Sequence, residues 1–232
     1  MAYEKSQPTE GDDGAPTRVI RSAFYVDGFN LFHALEDYLE PHLKWLDLWK
    51  LAELVIPSQT ETVVKIVYCT AFYPGNSEKR WRHDQYLNAL RIRGVDCQLG
   101  HFIREPVLCK TCSRGWDKYT EKEGDLNLAL HLMNDAWLNL YDKAYLVTAD
   151  SDQAATARLF AKQFPDKGLI TVSPPGRNFS HHIEKHASGR LSLQKSHIER
   201  SLFPSVVLDK NGKHGRRPRE WDPPIGWAPS LG

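Results

Sequence analysis

Acidic side chains follow two short apolar runs that have the composition of buried strands. Residues 23–26 are followed by Asp27, and the amide of Asn30 lies three positions further on. Residues 144–148 are followed by Asp150 and Asp152. If both strands lie in one parallel sheet, their carboxyl ends share an edge, which is where open α/β sheets bind ligands. Alone, Asp27 and Asn30 would be a turn residue and a helix N-cap, so the functional interpretation depends on the second acidic strand end.

A third acidic position, Asp125, precedes the leucine-rich segment 126–140, which we predict to be a helix. Carboxylates converging from three segments repel by about 4 kcal/mol per close pair at an effective dielectric of about 20. A divalent cation offsets that repulsion, and hard oxygen ligands suit Mg²⁺ or Mn²⁺ better than zinc. We predict that Asp27, Asp125, Asp150 and Asp152 bind such an ion, with Asp27 and Asp150 as principal ligands. The alternative is a helix N-terminal charge at Asp125 and cap residues at Asp150 and Asp152.

The bulk composition is that of an ordinary globular protein. The chain has 232 residues, of which 41% are apolar and 25% charged, enough for one core of ordinary size. A net charge of +1 excludes a globally basic nucleic-acid binder, so phosphate contacts would come from a local patch or a metal. No apolar run is long enough to cross a bilayer, and the polar N-terminus has no signal-peptide core. We therefore expect a cytoplasmic protein without membrane contact.

Strand-like and helix-like segments alternate along the chain. Apolar or β-branched runs at 62–72, 95–103 and 169–173 predict three more strands. One helix is predicted to begin with Asn30 as its N-cap. Further helices are predicted at 46–56, 77–93 and 153–164, with one or two more between 177 and 202. This alternation predicts an α/β fold with three α/β/α layers and a central, mostly parallel sheet of about five strands.

Three parts of the chain are predicted from composition. They are a disordered tail at 1–20, a domain at 21–204 with a polar CxxC-containing insertion at about 104–122, and a flexible basic tail at 205–232.

In the predicted helix 126–140, apolar residues recur at helical spacing, and we expect them to form its buried stripe. These residues are Leu126, Leu130, Met133 and Trp137.

The three acidic segments resemble, in order, the three signature blocks of the NYN domain, a PIN-like nuclease group that includes LabA-like bacterial proteins. The runs are YVDGFNLF at 25–32, EKEGDLNLAL at 121–130 and YLVTADSDQ at 145–153. The resemblance spans about residues 21–202. It implies a PIN-like fold and divalent-metal-dependent endonuclease activity, usually on RNA. It also implies catalytic roles for Asp27, Asn30, Asp125, Asp150 and Asp152. Gly124 stands where many relatives have Thr or Ser, so a capping hydroxyl is missing here.

The predicted function is therefore a metal-dependent endoribonuclease acting on single-stranded or structured RNA. A metal-activated water would displace the 3′-oxygen in line and leave a 5′-phosphate. One alternative is a non-catalytic RNA-binding or protein-docking module that retains the acidic pocket. A metal-dependent phosphatase is a third reading, weakened because Phe29 occupies the second position of the Asp-x-Asp pattern that such enzymes carry.

Two further groups of residues have candidate binding roles. Cys109 and Cys112 form one CxxC knuckle, and a tetrahedral zinc ion there would need two more ligands, from His101 or a second subunit. The alternative is a pair of reduced thiols in a hairpin loop. The candidate nucleic-acid contacts are Arg80, Arg82, Lys122 and Arg177. A solvated helix face would equally explain the first two, and a homodimer is left open.

Overall fold

A seven-stranded sheet runs through the molecule in this computed structural model, which describes residues 18–72 and 74–230. In chain order its strands are β1 (Ile20–Asp27), β2 (Glu61–Ala71), β3 (Asp96–Leu108), β4 (Gly115–Lys122), β5 (Lys143–Val147), β6 (Gly168–Ser173) and β7 (Gly189–Ser192). Their spatial order is β4-β3-β2-β1-β5-β6-β7, and every neighbouring pair is parallel except β3 with β4. The predicted mostly parallel α/β sheet is confirmed, with two strands more than expected.

Helices cover both faces of the sheet, which confirms the three-layer architecture. They are α1 (Gly28–Glu36), α2 (Leu48–Val55), α3 (Ser77–Ile92), α4 (Gly124–Trp137), α5 (Ala154–Gln163), α6 (His181–Glu184) and α7 (Lys195–Glu199). One core lies under α1, α2, α3 and α7, and the other lies under α4, α5 and α6. Side chains alternate along β1, so Phe24 and Val26 enter the first core while Ala23 and Tyr25 enter the second. No helix of the described residues is long and apolar enough to cross a membrane.

The sheet order brings the two acidic strand ends together. β1 pairs with β5 in parallel register, and Val26 lies opposite Val147. Asp27 is the last residue of β1, and Asp150 follows the last residue of β5 by three positions. The carboxyl ends of these strands are therefore direct neighbours at one edge of the sheet.

The predicted insertion at 104–122 is instead an antiparallel hairpin that extends the sheet. His101 to Leu108 of β3 pair with Gly115 to Lys122 of β4. Most of these side chains are exposed, and β4 is the edge strand of the sheet. A strand that is polar on both faces lacks the apolar alternation by which strands are recognised, so the composition indicated a loop.

The C-terminal segment is ordered through residue 230, contrary to the predicted flexible tail at 205–232. The strands β8 (Val206–Leu208) and β9 (His214–Arg216) form a small hairpin against α3. Trp221 is only 8% exposed and packs against Trp45 and Tyr86. One buried indole thus anchors a segment whose Pro, Gly and Arg content suggested mobility. The predicted N-terminal tail at 1–20 lies mostly outside the described residues, and β1 already begins at Ile20.

The buried face of α4 is the reverse of the predicted stripe. Leu126, Leu130 and Trp137 are 57%, 56% and 65% exposed, and of the four predicted residues Met133 alone is partly buried against the second core. Leu128 and Leu132 are fully buried in the second core instead. The helix carries leucines on both faces, so helical spacing alone could not decide which face packs on the sheet. The helices expected after residue 177 are also shorter than predicted, because β7 separates α6 from α7.

Candidate functional site

A cavity of about 510 Å³ lies at the carboxyl edge of the sheet, above β1 and β5. Its walls come from the start of α1, the start of α4 and the loop after β5. The lining residues are Asp27, Phe29, Asn30, His33, Cys69, Glu121, Gly124, Asp125, Ala149, Asp150 and Arg177. Four of the five candidate catalytic residues therefore line one cavity. The fifth, Asp152, adjoins it through the side chains of Asp125 and Asp150.

Asp27 is the N-cap of α1, which corrects the expectation that Asn30 caps this helix. Asp27 Oδ1 accepts a hydrogen bond of 3.0 Å from the backbone N–H of Asn30. Its Oδ2 accepts a second, also 3.0 Å, from the hydroxyl of Thr148. The turn is tight at Gly28, where a Cβ would lie 2.6 Å from the carbonyl oxygen of Cys69. Two bonds from neighbouring segments thus fix the orientation of this carboxylate.

Asn30 ties α1 to the loop that follows β5. Its side-chain Oδ1 accepts a 3.0 Å hydrogen bond from the backbone N–H of Ala149. In the same loop, the hydroxyl oxygen of Thr148 accepts a 3.1 Å bond from the N–H of Asp150. Thr148 therefore contacts two of the candidate acids, donating to one and accepting from the backbone of the other. It is completely buried, and the sequence analysis did not single it out.

Three carboxylates converge at this edge. Asp125, Asp150 and Asp152 each offer an oxygen, and the three oxygens lie within 4.8 Å of one another. Asp150 Oδ1 accepts a 3.0 Å bond from the N–H of Asp152. Asp27 lies in the same cavity but outside this group of three. The convergence involves Asp125 and Asp152 as closely as Asp150, whereas the sequence analysis gave the principal ligand roles to Asp27 and Asp150.

The side-chain amide of Gln153 orients Asp125 through hydrogen bonds. Its amide Nε2 donates to the backbone oxygen of Asp125 at 3.0 Å and to the carboxylate Oδ1 at 3.3 Å. The amide oxygen accepts a 2.9 Å bond from the hydroxyl of Thr156, which holds the amide in place. Gln153 is buried beside the cluster. The sequence signal that could have identified Gln153 is its position directly after Asp150 and Asp152.

Glu121 is a further acid of the cavity that sequence reasoning missed. Its Oε1 accepts a 2.9 Å bond from the backbone N–H of Gly124, the first residue of α4. The bond satisfies one of the free N–H groups at the start of α4, whereas a Thr or Ser hydroxyl at position 124 would accept from an N–H two or three residues further on. A Cβ on Gly124 would lie 2.8 Å from the same carboxylate oxygen, so the absence of a side chain and the presence of Glu121 are linked.

Asp27 and Asp125 of the cavity have raised pKa values, so their charged forms are destabilised. Burial raises the pKa of Asp27 to about 6, and Asp125 and Asp150 add to the rise while the bonds from Asn30 and Thr148 oppose it. Burial, together with Asp150 and Asp152, also raises the pKa of Asp125. A nearby cation would reverse these shifts. The donor set consists of hard carboxylate oxygens, so the residues present fit Mg²⁺ or Mn²⁺.

The four candidate nucleic-acid contacts are divided among three locations. Arg177 lines the acidic cavity, where its guanidinium is 2.6 Å from the carboxylate of Asp37. Lys122 is the exposed last residue of β4. Arg80 and Arg82 lie on α3 and line a neighbouring cavity.

The CxxC pair lies at the tip of the β3–β4 hairpin. Cys109 and Cys112 are both free thiols. His101 cannot complete a zinc site with them, because Cys109 lies eight positions further on, directly after the extended β3, roughly 26 Å away at about 3.3 Å per residue. Its imidazole instead lies 3.3 Å from the carboxylate of Glu123. Within residues 18–72 and 74–230, only one group of three or more potential metal-ligand side chains converges. It consists of Asp125, Asp150 and Asp152.

Comparisons with known proteins place the fold but not the activity. No family model matches the sequence, and no curated protein matches it. A solved structure similar to this chain is that of a protein of unknown function, VPA0982, from Vibrio parahaemolyticus. It has a TM-score of 0.51 and 17% sequence identity, over 82% of this chain and 99% of that chain. At this identity the likeness supports the shared α/β fold alone.

Proposed function

We propose that this protein is a divalent-metal-dependent endoribonuclease of the PIN-like, NYN type. The observation that carries the proposal is the convergence of Asp125, Asp150 and Asp152 within 4.8 Å, in or beside the cavity that the half-buried Asp27 also lines. Charged groups at such distances repel strongly. Two chain segments supply the three carboxylates, and Asp27 comes from a third. The resemblance of those segments to the NYN signature blocks supports the same conclusion. The free thiols of all four cysteines agree with a reducing compartment such as the cytoplasm.

Asp125, Asp150 and Asp152 would hold the cation, with Asp27 facing it from α1. A divalent cation in this cavity would lower the pKa of a bound water and offset negative charge on a phosphodiester. The chain itself supplies orientation. Thr148 and the N–H of Asn30 hold both oxygens of Asp27, and Gln153 holds Asp125.

Among the described residues, Arg177 is the one Lys or Arg side chain that lines the acidic cavity. A guanidinium can bind two phosphate oxygens at once, so Arg177 is suited to orient the backbone of an incoming strand. Its present partner, Asp37, is 66% exposed, and an exposed ion pair of this kind contributes little stability. Exchange of that carboxylate for a substrate phosphate is therefore energetically accessible.

The proposal is tested by cleavage of an end-labelled RNA and of a circular RNA of the same sequence in Mn²⁺. Wild-type protein should open the circle, which requires an internal cut, and should leave 5′-phosphate ends. Asp150→Asn should reduce cleavage at least 100-fold, because it removes one charge from the convergent group while preserving side-chain volume. Asp166→Asn is the matched control, since Asp166 is exposed and lies just before the start of β6, at the opposite edge of the sheet.

Equal residual activity in wild type and Asp150→Asn would contradict the proposal, since a contaminating nuclease would explain it. RNA binding with no cleavage in Mg²⁺, Mn²⁺ or Co²⁺ would favour the non-catalytic binding module instead. Release of phosphate from small esters without opening of the circle would favour a phosphatase.

A further inference from the structure

A second cavity, of about 620 Å³, adjoins the acidic one. It lies between α1, the carboxyl end of β2 and the first turns of α3. Phe29 and His33 line both cavities, so a single turn of α1 separates them. The volume lies within the range of roughly 300–1,000 Å³ that is usual for small-ligand sites.

Aromatic rings form much of this second cavity. Phe29 and Phe32 project from α1, and Phe102 projects from β3. The rings of Phe29 and Phe102 meet edge to face, with centroids 5.9 Å apart. Tyr68 and Trp221 also contribute to the lining. Rings at the surface of a cavity offer flat faces on which an unpaired nucleobase can stack.

The charge of the second cavity is opposite to that of the first. Among the described residues, its lining contains the cations Lys44, Lys79, Arg80 and Arg82, and a single carboxylate, Glu36. Arg82 is paired with Glu220 at 3.3 Å. Glu36 is already bonded to Lys44 at 3.0 Å. Lys79 and Arg80 are exposed, so they can reach a bound anion without losing a buried partner. This combination of rings and cations matches the base and the phosphate of a nucleotide.

A neutral imidazole adds a polar group to the lining. His83 Nε2 lies 3.3 Å from the hydroxyl oxygen of Thr70, and both residues line the cavity. Burial lowers the pKa of His83 to about 4, with a smaller contribution from Arg91 and an opposing one from Asp84. The imidazole is therefore uncharged at neutral pH, and it can donate or accept a hydrogen bond at the edge of a base.

We propose that this aromatic and basic cavity is a nucleotide subsite that holds one unpaired base of a single-stranded RNA. The strand would cross the turn of α1 at Phe29 and present its next phosphodiester to the acidic cavity. This inference rests on the proposed nuclease function and adds to it the substrate class. A paired base is enclosed in its duplex and cannot enter, so single strands are the substrate and duplexes are not.

Binding is measured without metal, which separates this inference from the cleavage proposal. The probe is a fluorescent 12-nucleotide single-stranded RNA, titrated by anisotropy against Asp150→Asn protein in EDTA. Phe32→Leu keeps an apolar side chain but removes the ring, and we expect about a tenfold rise in Kd, the loss typical of one stacked base. Phe32→Tyr should restore binding. Arg80→Ala should weaken binding and lower the salt slope by about one.

Matched controls lie on the opposite layer of the sheet. Trp137→Leu removes an exposed ring from α4, and Arg158→Ala removes an exposed cation from α5, so neither should change Kd. The same RNA annealed to its complement should bind at least tenfold more weakly.

Three results would overturn the inference. They are wild-type affinity in both Phe32→Leu and Arg80→Ala, equal affinity for the duplex, and no measurable binding of the single strand by folded protein. Cleavage that persists alongside any of these would leave the nuclease proposal standing and place the substrate path elsewhere. Absent cleavage with the expected binding pattern would refute the nuclease proposal and retain the subsite.

Discussion

Asp27→Asn should stabilise the metal-free protein. The carboxylate of Asp27 is partly buried and lies near Asp125 and Asp150, so its charge is costly in the folded state. Asn caps helices about as well as Asp, so the bond from the N–H of Asn30 to the side chain can be kept. The substitution therefore changes charge with little change in shape.

The size of the gain follows from the pKa of about 6, against a usual value of 3.8. A rise of that size corresponds to about 3 kcal/mol of destabilisation at pH 7, at 1.36 kcal/mol per unit. Loss of the charged acceptor for the Thr148 hydroxyl costs about 1 kcal/mol in return. We expect a net gain of about 2 kcal/mol, or a Tm higher by about 4–8 °C for a chain of this length.

The pH dependence has a definite sign. Between pH 3.8 and about 6 the unfolded chain releases the Asp27 proton while the folded chain retains it, so wild-type stability falls as pH rises through this window. The advantage of Asp27→Asn should therefore be absent below about pH 4 and complete above about pH 6. Urea unfolding in EDTA at pH 4, 5, 6 and 7 measures it. Millimolar Mn²⁺ should then stabilise wild type more than the variant.

Asp47→Asn is the matched control for this experiment. Asp47 caps α2 by accepting from the N–H groups of Trp49 and Lys50, and its carboxylate is 3.2 Å from the guanidinium of Arg93. Neutralising this paired cap should lower stability, by up to about 1 kcal/mol. A metal-free Asp27→Asn that is likewise less stable than wild type at pH 7 would refute the reasoning, since Asp27 would then be an ordinary cap.

Three further predictions test the core, the cluster and the second cavity. Leu128→Ala should lower the free energy of unfolding by about 2–5 kcal/mol and Leu130→Ala by less than about 1 kcal/mol, measured in urea, because only the first is buried. Gln153→Ala should weaken Mn²⁺ binding about 10–100-fold by calorimetry, with Gln163→Ala unchanged, because only Gln153 orients a ligand carboxylate. Between pH 7 and 5, wild type should lose about 2 kcal/mol of stability relative to His83→Gln, because the unfolded imidazole takes up a proton that the buried one does not.

Each of these has an outcome that contradicts it. Equal losses at Leu128 and Leu130 would mean that the exposed face of α4 is covered in solution. Unchanged Mn²⁺ affinity in Gln153→Ala would mean that Asp125 needs no support to bind the ion. Parallel pH profiles for wild type and His83→Gln would mean that the imidazole is accessible to water.

Local sequence patterns predicted the strands and helices in which one face, or both faces, are apolar. The buried strands β1, β2, β5 and β6 are dense in apolar and β-branched residues, and each was recognised within a few residues. The strand predicted at 95–103 matches the first part of β3, but the rest of β3, strand β4 and the ordered C-terminal segment were missed because they lack such apolar density. The hairpin is exposed on both sides and mostly polar, and the C-terminal segment is held by scattered contacts, among them buried Trp221 and Val207 and the packing of β9 on α3. Composition does not register scattered long-range contacts, so it indicates mobility where they order the chain.

The acidic residues themselves could be read from the sequence, because their positions at strand ends depend only on neighbouring residues. Their convergence could not, because it depends on β1 and β5 being adjacent in the sheet order. The contacts of Thr148 with Asp27 and of Gln153 with Asp125 likewise join distant segments, whereas the bond from Gly124 to Glu121 is local. Residue type and local spacing determined which side chains could bind a cation, and long-range strand pairing decided which of them meet.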